Sequence, residues 1–204
     1  ETDSGGGWWW HTPYETLDKG DADILVTDVK VNLNYVLRMT NCPVLPLYFV
    51  PYADSILKNL EDLQKKSEKI KAYFNIQQVI ERAREFRGLA EELEAIVKRA
   101  LEAGARDDVL GKLNHCLMWV SRHINPIAHS DAEMTEQMSM DLFGATPFPR
   151  IHRILKLAEI PLPQSAEFKF LQTKLLRQRN YIEDGFYRAN ELIRETIAKV
   201  EHAL

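Results

Sequence analysis

The chain is poor in cysteine and has no long apolar run. Its 204 residues include two cysteines, Cys42 and Cys116, which lie far apart and belong to no Cys-x-x-Cys pair. A disulfide framework or a cysteine-based metal site is therefore not indicated, and two buried thiols are the simpler interpretation. No stretch reaches the roughly 18 apolar residues of a membrane helix, and no basic segment followed by an apolar one marks a signal peptide. We expect no membrane partner.

Neither sign of charge dominates the sequence. It has 26 Lys and Arg residues against 30 Asp and Glu residues, a formal net charge of −4. That balance gives no sequence-wide attraction to a phosphate backbone, so we expect no nucleic-acid partner. The composition is typical of a globular protein, and the length allows one large domain, or one domain with a piece of another. Because the chain opens at Glu1 without an initiator Met, we expect the natural start to lie upstream.

Apolar residues recur at spacings of three and four through most of the chain, which predicts long amphipathic helices. Asp21 is the expected N-cap of the first helix, Gly104 the end of the third and Pro126 the end of the fourth. Gly185 is a point at which the last helix can bend. Proline and glycine interrupt the pattern between the fourth and the last long helix, where short helices are expected. The long helices are predicted at 21–41, 51–70, 75–104, 107–126 and 166–202, and the short ones at 133–142 and 149–157.

No segment shows the alternation of apolar and polar residues that predicts a β-strand. Several long amphipathic helices cannot each bury an apolar stripe alone, so they must pack against one another. The predicted fold class is therefore all-α, a helical bundle of about four long helices with short extra helices. An irregular N-terminal segment precedes it.

That N-terminal segment, residues 5–21, is the least ordinary part of the sequence. Trp8, Trp9 and Trp10 stand directly before His11. So much aromatic surface normally covers something. It is either a hydrophobic anchor that docks a loop on the bundle, or the edge of a functional site whose other walls lie elsewhere.

Residues 8–21 resemble the last metal-binding motif of zinc-dependent aminopeptidases and carboxypeptidases, the family that includes glutamate carboxypeptidase and the transferrin receptor. His11 stands in the position of the final zinc ligand. Glu15 and Thr16 stand where the family usually has Asp-Thr, and Leu-Asp-Lys follows at 17–19. Residues 35–39 and 44–47 resemble the family's closing helix and the Leu-Pro connector that follows it.

This resemblance implies two parts. Residues 1–50 would be the tail of an α/β metallopeptidase catalytic domain, containing the last zinc-ligand loop and the closing helix, so the irregular segment would be a remnant of that domain. Residues 51–204 would be a helical, transferrin-receptor-like dimerisation domain, which implies a homodimer.

The resemblance also implies the chemistry of the intact parent protein. His11 would ligate one of two zinc ions, and the substrate would be a peptide or aminoacyl compound. Trp10 would line the substrate pocket or simply pack under the loop. The family's other ligands and its Glu general base lie upstream, so we expect no catalytic residue and no bound metal in this chain alone.

Two other functions remain open. One is an independent helical protein-interaction module, in which residues 5–12 are only an apolar anchor. The other is a helical ribonuclease of the HEPN type, because Arg122 and His129 form an Arg-x6-His pattern, although Pro126 interrupts it. His115 and His123 are eight residues apart, which does not match the four-residue spacing of helical zinc pairs.

Overall fold

A computed structural model describes residues 7–130 and 146–204 of the chain. These residues form seven α-helices and two short 3-10 turns, and no β-strand occurs among them. The chain divides into two compact units, Glu1–Pro46 and Leu47–Leu204. The all-α prediction is thus confirmed for the described residues. The short helix predicted at 133–142 lies outside them.

The first unit contains a 3-10 turn, Leu17–Lys19, and helix α1, Ala22–Asn41. The Asp21 carboxylate accepts hydrogen bonds from the backbone N–H groups of Asp23 and Ile24, at 2.9 and 3.0 Å. These bonds satisfy two of the donors that a helix leaves unpaired at its first turn. The helix therefore starts and ends where the sequence predicts.

The second unit is a helical bundle built around its last helix. The long helix α7 packs against α3 and α4, α2 packs on α3, and the short α5 and α6 pack on α7. The largest fully buried side chains are Phe, Leu and Ile residues supplied mainly by these long helices. The helices are α2 (Val50–Lys66), α3 (Gln77–Glu102), α4 (Asp107–His129), α5 (Pro149–His152), α6 (Ile154–Leu157) and α7 (Ala166–Glu201).

Several predicted helix ends are correct and others are wrong. Gly104 follows α3 with a φ of +61°, the left-handed conformation that suits glycine after a helix. Pro126, however, does not end α4, which continues to His129. Proline removes one backbone hydrogen bond, but Ile124, Ile127 and Ala128 around it are buried. Their burial offsets that loss, so tertiary packing overrides the local signal.

Other differences are smaller. Helix α2 ends at Lys66 and a separate 3-10 turn, Glu68–Ile70, completes the predicted range. The predicted helix at 149–157 is two single-turn helices rather than one. The Asn75 carboxamide accepts a hydrogen bond from the Gln77 N–H at 3.3 Å, although α3 itself begins two residues later than predicted.

Gly185 lies in the middle of α7, which runs through it as one helix of 36 residues. A Cβ atom at this position would lie 2.6 Å from Cγ2 of Ile127 and 3.2 Å from the carbonyl oxygen of His123, both on α4. The glycine therefore lets the two helices approach each other closely.

Gly185→Ala is expected to lower the free energy of unfolding by about 1–2 kcal/mol. The new methyl group overpacks a close contact, which costs more than the ~1 kcal/mol gained in helix propensity. Gly111→Ala is the matched control, because nothing lies within 4 Å of a Cβ built there, and it should stabilise α4 slightly. Urea denaturation of the three proteins measures both effects. A stabilised Gly185→Ala variant would contradict the close approach of α4 and α7.

A polar network with one buried member, Asn190, joins α3 to α7. The side-chain N–H of Asn190, which is fully buried, donates to the Glu85 carboxylate at 3.0 Å and to the Arg82 carbonyl at 3.3 Å. Arg82 and Arg194 also bind the Glu85 carboxylate. Burial raises the pKa of Glu85, but these hydrogen bonds and the charge of Arg194 outweigh that effect and hold the pKa below its usual value.

Acid should therefore weaken the bundle partly through Glu85. Its folded pKa is depressed, so the stability it contributes is fully present above its unfolded pKa and is lost as the pH falls through the folded value. In Glu85→Gln, the free energy of unfolding should be lower at neutral pH and fall less on acidification. Glu92→Gln, on the exposed face of α3, is the control, and its free energy of unfolding should depend on pH as that of the wild type does. Urea denaturation at a series of pH values checks this, and identical profiles for wild type and Glu85→Gln would refute it.

Candidate metal-ligand loop

A chain of tight turns shapes residues 7–16. Backbone hydrogen bonds of 3.0 to 3.1 Å run from Trp10 to Gly7, from Thr12 to Trp9 and from Glu15 to Thr12. The Thr12 hydroxyl also donates to the Trp9 carbonyl, at 2.6 Å. The loop is thus folded back on itself by its own main chain.

His11 is at the centre of these turns and has an unusual backbone conformation. Its φ of +59° lies in the left-handed region, which non-glycine residues seldom adopt and which is frequent at functional sites. Its backbone N–H donates to Oε2 of Glu15 at 2.8 Å. The imidazole is exposed and packs beside the Trp10 indole, with ring centroids 4.2 Å apart. The two residues predicted for the site are chain neighbours, and their rings also contact each other.

The role of Glu15 was missed by the sequence analysis, which treated it only as a replacement for Asp. Its carboxylate holds the backbone of His11 in the turn, so it positions the histidine through the main chain. The four-residue separation of His11 and Glu15 could have indicated this contact, because a tight turn brings such residues together. The rest of the motif is also internally bonded, because Asp18 accepts from the Thr16 hydroxyl and from Lys19.

The remaining aromatic residues of the loop form a small cluster of their own. Trp8 contacts Trp9 edge to face at 6.0 Å and Tyr14 at 5.6 Å between centroids. Trp8 and Trp10 are nevertheless 71% and 56% exposed. An aromatic surface of this size is characteristic of an edge that another surface covers.

Helix α1, which follows the loop directly, is exposed along its whole length. None of its twenty residues, all of which the structure describes, is buried. Its large apolar side chains are nevertheless spread over roughly two thirds of its circumference, an arc that Asp28 and Asn32 interrupt. They are Ile24, Leu25, Val26, Val29, Val31, Leu33, Tyr35, Val36 and Leu37, each about half exposed or more.

Arg122 and His129 lie seven residues apart on α4, and each has a contact of its own. The Arg122 guanidinium lies over the Trp119 ring, 5.0 Å from its centroid. The His129 ring is hydrogen-bonded to the Tyr52 hydroxyl at 2.7 Å and stacks on that ring. Burial raises the pKa of Tyr52 to about 12, so this phenol is a neutral partner. The two residues of the ribonuclease pattern thus have separate, structural partners.

The other histidines of α4 flank the same tryptophan. His115 and His123 lie 5.9 and 6.1 Å from Trp119 between ring centroids. Burial and the charge of Arg188 lower the pKa of His123. Within residues 7–130 and 146–204, no group of three or more His, Cys, Asp or Glu side chains is placed to hold a metal ion.

Comparisons with protein-family models, with curated proteins and with solved structures find no match to this chain. In the part of the chain that the structure describes, no helix has the length and apolar character needed to span a bilayer.

Proposed function

We propose that this chain is the C-terminal part of a two-zinc exopeptidase of the aminopeptidase and carboxypeptidase class. Residues 1–50 complete the α/β catalytic domain of the parent, and residues 51–204 form a helical domain that mediates dimerisation and shapes the cleft. The chain alone is not catalytically competent.

The observation that carries this proposal is the exposure of the apolar side chains of α1. A helix that is apolar around most of its circumference is normally buried, whereas a solvated helix has a polar face at least as wide as its apolar one. The apolar arc of α1 suits a helix that packs against a sheet in a layered α/β domain. Its position directly after the His11 loop matches the closing helix of the family that the loop resembles.

The geometry of the loop supports a ligand role for His11. A metal-bound histidine needs a fixed backbone and an accessible ring nitrogen. The hydrogen bond to Glu15 and the left-handed φ fix the backbone of His11. The exposure of the imidazole makes its ring nitrogens accessible. In a two-metal hydrolase, ions about 3.5–4 Å apart activate one water and polarise the scissile carbonyl. His11 would supply one ligand, and the exposed Trp10 beside it would line the substrate pocket.

The outer face of α4 supports dimerisation of the helical domain. Met118 and Trp119 are exposed there, and Arg122 lies on the Trp119 ring. Methionine, tryptophan and arginine are the residue types enriched at protein interfaces. A second copy of the same face would cover them in a two-fold contact.

His11→Ala in the intact parent should remove activity without unfolding the protein. One metal would lose a ligand, so zinc content should fall and turnover should drop at least about 100-fold, since even indirect ligand partners are worth 10 to 100-fold. His202→Ala, at the exposed end of the chain, is the matched control. Zinc analysis, peptidase assay and thermal melting measure these effects, with the isolated chain assayed alongside.

Two results would contradict this proposal. The first is wild-type turnover in the His11→Ala parent. The second is stoichiometric zinc with peptidase activity in the isolated chain, because a lone histidine falls short of the three or more protein ligands of a catalytic zinc.

The chain should form a dimer in solution through α4. Met118→Glu should weaken that dimer at least tenfold, because a charge in the centre of an interface is desolvated without a partner. Phe170→Glu, which alters another exposed apolar residue, on α7 rather than α4, is the control. Sedimentation velocity over a range of micromolar concentrations measures both. A monomer at every concentration would remove the dimerisation role.

A further inference from the structure

Positive charge is concentrated in one stretch of this acidic chain. Residues 149–178 contain six Lys or Arg residues against two Glu residues, whereas the other residues contain 20 against 28. This stretch covers the short helices α5 and α6 and the first third of α7. Its field would attract an anion that the rest of the chain repels.

A small cavity lies within this basic stretch, where α5 meets α7. Its volume is about 60 Å³, roughly that of two water molecules in the liquid, at about 30 Å³ each. A single small oxyanion group fills such a space. No carboxylate is present among the described residues that line it, which are Pro149, Arg150, Arg153, Leu171, Lys174, Leu175 and Gln178.

Arg150 forms the inner wall of the cavity and is held in place. It is 7% exposed, its guanidinium lies 4.1 Å from the centroid of the Tyr181 ring, and its Nη1 donates to Oε1 of Gln178 at 2.8 Å. Stacking and hydrogen bonding fix the plane of the guanidinium before any ligand arrives. A fixed cation of this kind supplies its field without a cost in side-chain entropy.

Arg153 and Lys174 complete the cationic lining at the open side. Within residues 7–130 and 146–204, neither forms an ion pair. The arginines of the adjoining part of the bundle behave differently, since Arg179, Arg188 and Arg194 all pair with carboxylates. Arg153 and Lys174 therefore remain available to a ligand from outside.

We propose that this cavity binds a phosphate group, either as free inorganic phosphate or as a small phosphate monoester. Arg153 and Lys174, next to the fixed guanidinium of Arg150, suit a group that carries a charge of about −1.5 to −2 and several acceptor oxygens. Arginine recognises phosphate through paired N–H donors, and lysine adds a point charge. A carboxylate carries one charge and two oxygens, so it matches this lining less well. The site is independent of the proposed peptidase function.

Isothermal titration of the whole chain with inorganic phosphate tests the site, with phosphoserine and acetate as the other ligands and chloride keeping the ionic strength constant. Arg153→Gln combined with Lys174→Gln should weaken phosphate binding at least about tenfold, since each hydrogen bond to a charged group is worth ~1.5 kcal/mol or more. Lys156→Gln combined with Lys169→Gln is the control. It removes the same charge from the same stretch, at positions outside the cavity lining.

Phosphate binding that the cavity variant loses and the control keeps is the expected result. Binding of phosphoserine at comparable affinity would identify a monoester site, and its absence would identify free phosphate as the ligand. The substituted residues are exposed, so circular dichroism should show both double variants folded. No phosphate binding, equal loss in both double variants, or equal affinity for acetate would overturn the proposal.

Discussion

Close packing between α7 and the two helices beside it determines how the rest of the bundle is arranged. On the α4 side, Gly185 leaves no Cβ between the helices and lets the buried Ile127 approach the α7 backbone. On the α3 side, Phe186 contacts Phe86, with ring centroids 6.0 Å apart. Phe86 in turn contacts Phe49 at 6.1 Å, which extends the core to the start of α2. Edge and tilted contacts of this kind bury large apolar areas in a defined geometry. The hydrogen bonds around Glu85 also fix the register of α3 against α7.

This packing explains why the two units have different properties. The helical unit, Leu47–Leu204, covers the apolar faces of its own long helices. The first unit buries no residue of α1. An apolar helix without a covering layer, placed directly after a histidine held in a strained turn, is what the last segment of a larger catalytic domain would contain. An independent interaction module would also expose such a helix, but it would not require the backbone of His11 to be fixed by Glu15.

Local chemistry in the sequence was enough to predict most helices. Asp21 and Gly104 mark helix ends through hydrogen bonding and backbone conformation, and both act within one turn of themselves. The helix end predicted at Pro126 is wrong, because burial of the neighbouring side chains outweighs the backbone hydrogen bond that the proline removes. The hydrogen bond between Tyr52 and His129 joins residues 77 positions apart. The hydrogen bond between Arg150 and Gln178 at the cavity joins residues 28 positions apart. Such pairs follow from the packing of whole helices, so no spacing rule could have identified them.

The sequence encoded immediately upstream of Glu1 tests the central claim most directly. If α1 and the His11 loop complete a two-zinc catalytic domain, the remaining metal ligands must precede them in the same chain. Sequencing the coding DNA should therefore show an open reading frame long enough for a catalytic domain. It should contain a His-x-Asp motif followed by adjacent Glu-Glu or Glu-Asp. A start codon directly before Glu1, or a long upstream frame without these ligands, would contradict the claim and leave the interaction module as the better account.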